Sequence, residues 1–73
     1  MSATMSNVEL MTAAVENTER AKAGLRAALE IGENSPVPVQ NFTMVAVALR
    51  QAHAAVVALE QRAQGVKPPR VGD

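Results

Sequence analysis

Apolar and polar positions alternate along this chain with a helical period in two stretches of nearly equal length. In the first, Val8, Met11, Val15, Leu25 and Leu29 recur at spacings near three and four, and Leu10, Ala14, Ala21 and Ala28 widen the stripe. Glu9, Glu16, Arg20 and Glu30 fall on the opposite side, with Glu16 and Arg20 spaced as a favourable i,i+4 pair. In the second, Val45, Leu49, Ala52, Val56, Leu59 and Ala63 form one stripe, flanked by Phe42, Ala48 and Ala55. Met44, Val47 and Ala58 carry the apolar surface further round. An arc that wide exceeds what one neighbouring helix covers, which points to a second packing partner.

The boundaries are written in local chemistry. Ser6 and Glu9 have the spacing of a capping box, and Met5 and Leu10 flank it as a hydrophobic staple, so the first helix starts at Asn7. Gly32 reads as its C-cap, with Pro36 shortly beyond. Pro36 and Pro38 forbid simple continuation. Asn41 reads as the N-cap of the second helix, with room for an extra turn before it. The expected organisation is a lead over 1–5, a helical hairpin over 6–64 with helices at 7–31 and 41–64, and a mobile tail over 65–73. Each helix is then roughly 36–39 Å long at 1.5 Å per residue, and a short connection between equal helices implies antiparallel packing. Matching the large residues places Leu29 by Val45, Leu25 by Leu49, Lys22 by Ala52 and His53, Thr18 by Val56, and Val15 by Leu59.

The predicted fold class is therefore all-α, a two-helix antiparallel hairpin assembling as a homo-oligomeric helical bundle. Size supplies the reason for assembly. Chains below about 70–80 residues rarely stabilise a single core without disulfides, metals or association. This chain of 73 residues has no cysteine and one histidine, which removes the first two. Met44, Val47, Ala48, Ala55 and Val56 are the expected surface between protomers.

Charge narrows the function classes. Seven basic and seven acidic residues cancel, so no long-range field gathers nucleic acid. The stretch from Phe42 to Leu59 is apolar enough to test as a membrane span, but Arg50, Gln51 and His53 stand at its centre. A charge there costs at least about 2.5–3.5 kcal/mol, which favours a soluble helix. The N-terminus has neither the basic region nor the apolar run of a signal peptide. No cysteine and no export signal together suggest the cytoplasm of a bacterial host. Catalysis finds no foothold: His53 has no acidic residue one turn away, Ser2, Ser6 and Ser35 lie at the ends of the hairpin, and the glycines form no phosphate loop. The expectation is a protein that is not an enzyme and needs no cofactor or metal.

One constellation could bind. Lys22 interrupts the apolar stripe, Arg26 flanks it, and the expected register sets Arg50 and His53 opposite. Several cationic donors in the middle of a hairpin could hold a small anion such as a phosphate. The tail Lys67-Pro68-Pro69-Arg70 could form an extended ligand for a partner protein.

Two resemblances bear on this. Alanine-rich hairpins of this size are similar to the small type VII secretion substrates of actinobacteria, although the loop has no Trp for their Trp-x-Gly turn. The run Val45-Ala46-Val47-Ala48-Leu49-Arg50-Gln51-Ala52, continuing through Val57-Ala58-Leu59 to Ala63-Gln64, resembles the second helix of short phage hairpin proteins that act as cyclic-nucleotide sponges against CBASS immunity. Glu9-Leu10 at the start of the first helix is similar too. That resemblance implies a non-catalytic module that sequesters a small anionic nucleotide between protomers. The alternative is a virion, scaffold or secretion-related hairpin whose partner is another helical protein.

Overall fold

The computed structural model describes residues 4–65; the extended tail expected after Gly65, with its Lys67-Pro68-Pro69-Arg70 segment, lies outside them. The described chain is two antiparallel helices, α1 over Asn7–Gly32 and α2 over Val39–Gly65, packed along one another. Both start and stop for local reasons. The Ser6 hydroxyl oxygen accepts from the Glu9 N–H at 3.1 Å, and the Ser6 N–H donates to Glu9 Oε1 at 2.7 Å, completing the capping box. At the other end α1 runs through Gly32 instead of capping on it. The cap is Glu33 in ordinary right-handed geometry, and the N–H groups of Asn34 and Ser35 close onto the Ile31 carbonyl. The second helix begins at Val39, two residues before the expected cap, because Pro38 presents its carbonyl to the Asn41 N–H at 3.1 Å. A proline with fixed φ just ahead of the first turn is already set for a helix and lacks only an N–H that would be unpaired there.

The buried seam runs through small residues. Leu10, Asn17, Ala21 and Ala28 of α1 and Val45, Ala48, Ala52 and Ala55 of α2 are buried. The α2 residues are spaced three, four and three and the α1 residues seven, four and seven, the repeat of two helices that wind around each other. This overturns the expected facing of α1. Val8, Met11, Val15, Leu25 and Leu29 are exposed, and the alanines that flanked the expected stripe form the core. Leu25 and Leu49, expected to meet in the core, are 45% and 47% exposed. The register differs as well. Gly24 lies against Val45, and the Arg62 guanidinium donates to Asn7 Oδ1 at 2.9 Å, so Leu25 falls level with Met44 instead of Leu49.

Close approach is the reason. Two helices alone form a layer only 16 Å thick, with no third element to cover bulky residues at the contact. Small residues let the backbones come near enough for dispersion contacts along the whole seam, while Leu25, Leu29, Leu49 and Val56 are displaced to its edges. Gly24 marks the limit. A Cβ there would stand 2.7 Å from a Val45 methyl. Ala48 and Ala55 are committed to this seam, 5% and 6% exposed, so their expected place between protomers is corrected: both face α1 of the same chain.

The seam therefore predicts an inverted result for a substitution that ordinarily stabilises helices. Gly→Ala in a helix interior gains about 1 kcal/mol, but overpacking a tight core costs about 1–3 kcal/mol. Gly24→Ala is expected to lower stability in urea unfolding, and Val45→Ala to restore part of the loss when the two are combined. A plain gain of stability in Gly24→Ala alone would contradict the close seam.

Candidate functional site

Each helix leaves two flanks beside the seam, and an antiparallel pair brings like flanks together on the two broad sides of the hairpin. Met11, Leu25, Leu49 and Val56 each follow a seam residue by one position, so they share one side, where Phe42 joins Leu25 and Leu29 around a depression at the loop end. Val8 and Val15 extend that side outward along α1. All eight are exposed, Leu29 at 71%. Thr18, Lys22 and His53 interrupt it near the middle. Thr18 closes its hydroxyl onto the Ala14 carbonyl at 2.6 Å.

The opposite side carries Arg20, Ala27, Met44, Val47 and Gln51, each one position before a seam residue. Here the small residues Ala23, Gly24 and Ala27 open a groove of about 570 Å³, walled across by Met44, Val47 and Ala48. Asn17 and Arg20 stand in its lining. Asn17 is a polar residue in the seam itself, 8% exposed. Its Nδ2 donates to the Ala13 carbonyl at 2.9 Å, and its Oδ1 accepts from the Arg20 guanidinium at 3.2 Å. Arg20 is thus turned toward the seam and groove. The expected Glu16–Arg20 pair does not form; the ion pair among the described residues is Lys22 with Glu19, at 3.7 Å.

The four residues expected to gather an anion, Lys22, Arg26, Arg50 and His53, are all exposed. Arg26 lies five residues after Ala21 and two before Ala28; Arg50 lies two after Ala48 and two before Ala52. At about 100° per residue both point away from the seam, on the outer backs of different helices. Lys22 and His53 share the broad apolar side, but the register separates them by roughly 9 Å along the axis at 1.5 Å per residue. The hairpin does not bring the four together. Of the expected protomer contacts, Val56 lies on the broad apolar side, whereas Met44 and Val47 line the groove.

Arg20 and Asn17 were the residues that large-residue periodicity passed over. A signal existed: Leu10, Ala14, Asn17, Ala21, Gly24 and Ala28 repeat at alternating fours and threes, and Asn17 is the polar interruption of that row. Among the described residues no group of three or more histidine, cysteine or acidic side chains could hold a metal ion. By length and composition α2 is apolar enough to cross a membrane, with a mean hydropathy of 1.6 and 22% of that window buried in the hairpin. Comparison with protein-family models, curated proteins and solved structures finds no match for this chain.

Exposure of the four cations sets their effect on folding. A pair such as Lys22–Glu19, open to solvent, contributes about 0.3–0.5 kcal/mol. Lys22→Met, Arg26→Ala and Arg50→Ala are each expected to change urea-unfolding stability by less than about 0.5 kcal/mol. A loss well above about 1 kcal/mol in any of them would mean that the side chain is packed or paired in a way the exposed positions exclude.

Proposed function

We propose that this protein is a non-catalytic assembly module, a hairpin that associates with further copies of itself into a helical bundle. The observation that carries the reading is the broad side bearing Met11, Leu25, Leu29, Phe42, Leu49 and Val56. With Val8 and Val15, these are eight large apolar side chains, each 45–71% exposed, on one side of the hairpin. Exposed apolar residues gathered on one face mark an interaction surface. The seam supports the same conclusion from the other direction. It buries five alanines and only two larger aliphatic side chains, Leu10 and Val45, and a methyl group contributes only about 0.8 kcal/mol on burial. Covering the large residues adds what the seam lacks, and a neutral chain sets no net repulsion against self-association.

A helical scaffold of this kind works by geometry. The side-chain hydrogen bonds and the ion pair among its described residues serve the Ser6–Glu9 cap, backbone carbonyls and the pairs Arg20–Asn17, Arg62–Asn7 and Lys22–Glu19. The partner on the apolar side is a second hairpin, giving four helices around a core of leucine, valine, methionine and phenylalanine.

Light scattering after size exclusion tests this. The parent chain is expected at twice its 7.7 kDa mass or higher at micromolar concentration. Leu25→Gln with Leu49→Gln should shift it toward monomer and lower its melting temperature, because association and folding are linked. Met44→Gln with Val47→Gln, on the groove side, should leave the mass unchanged. A parent chain that is a well-folded monomer overturns the reading. Partition of a monomeric chain into neutral lipid vesicles would assign the same side to lipid instead.

A further inference from the structure

We propose that the groove on the opposite side is a binding site for an amphiphilic carboxylate, an apolar molecule with a single anionic head held by Arg20. This does not depend on self-association, since the groove and the broad apolar side lie on different faces.

The site begins with the buried amide. Asn17 sits in the seam at 8% exposure and is fixed by its Nδ2 donating to the Ala13 carbonyl. Its Oδ1 then accepts one N–H of the Arg20 guanidinium at 3.2 Å. An exposed arginine on a helix normally moves among many rotamers, and holding one costs conformational entropy. Here a buried, already fixed side chain positions it at the groove before any ligand arrives. Arg20 forms no ion pair with a carboxylate among the described residues, although Glu16 stands one turn away. Its remaining N–H donors meet no carboxylate among the described residues.

The groove supplies the other half. Its volume of about 570 Å³ lies within the roughly 300–1,000 Å³ of small-molecule sites. Ala23, Gly24, Ala27, Met44, Val47 and Ala48 give it an apolar floor and wall. One fixed cation at an apolar trough selects an apolar body with one negative head. A carboxylate fits better than a phosphate for two reasons. The guanidinium fork matches the two carboxylate oxygens in plane. Glu16, one turn before Arg20 on α1, adds repulsion with each further negative charge on the head.

Carbon–proton correlation spectra of the full-length protein give the test, with decanoate, decanol and decyltrimethylammonium as probes below their aggregation ranges. Decanoate is expected to shift the methyl signals of Met44, Val47 and Ala27 and to bind at least about fivefold more tightly than decanol. The cationic probe should bind most weakly. Arg20→Gln should weaken decanoate by roughly tenfold, the loss of a charge-assisted hydrogen bond, and leave decanol unchanged. Arg20→Lys, which keeps the charge without the fork, should fall between them, and Asn17→Leu should lower decanoate affinity while Arg20 is still present. Equal binding of decanoate and decanol overturns the proposal. So does an unchanged preference in Arg20→Gln, or shifts confined to Leu25, Leu49 and Val56, which would place the ligand on the self-association side.

Discussion

The close approach of the two backbones along an alanine and glycine seam is the constraint on which the rest of this structure depends. Two helices have one mutual contact line, and whatever occupies it sets their separation. Alanine at positions 21, 28, 48, 52 and 55, with Gly24 against Val45, makes that separation small. Larger residues along the same line would have buried more apolar area at the seam itself. They would also have pushed the helices apart, and a layer one helix thick has nothing to fill the resulting gaps. The stability of the hairpin therefore leans on the helical preference of alanine, the double hydrogen bond of the Ser6 cap, and dispersion along the seam. It gains little from transfer of bulky side chains out of water.

That choice also decides what the outside of the molecule is made of. Residues excluded from the seam are displaced onto its flanks, and the two flanks differ. One collects leucines, valines, Met11 and Phe42. The other collects Ala23, Ala27, Gln51 and Arg20, with Met44 and Val47 across from them. A single patterning decision thus creates a broad apolar side and a shallow groove on its reverse.

Much of the fold was legible in the sequence, and the part that was not has one cause. The capping box, the proline-marked connection and two helical periods were each readable because they depend on residues close in sequence. The facing of α1 was not, because size is the usual mark of burial and here it points the wrong way. Leu25 and Leu29 are larger than Ala21 and Ala28, and in a domain with several layers they would point inward. In an isolated pair the helix–helix distance outweighs area, and the smaller residues win. The misplaced register followed directly, since matching leucine to leucine slides the helices away from the pairing that sets Gly24 against Val45. The anion cluster depended on that register, and it dissolved with it. Lys22 stood out because it broke a stripe of large residues; Asn17, which breaks the row of small ones, was the more informative interruption.

Asn17 connects these levels. Both of its bonds lie within α1, to the Ala13 carbonyl and from the Arg20 guanidinium, so the amide is satisfied without a partner from α2. An unpaired polar group at that depth would cost about 1–3 kcal/mol; paired within its own helix, it occupies the seam without that cost. The same side chain carries Arg20 on its other end, so one residue of the seam also places the cation at the groove. Covering the broad apolar side presses on the same seam from behind. Since both sides stabilise the same packed state, occupation of either one should favour the other, and by reciprocity the two effects must be equal in free energy.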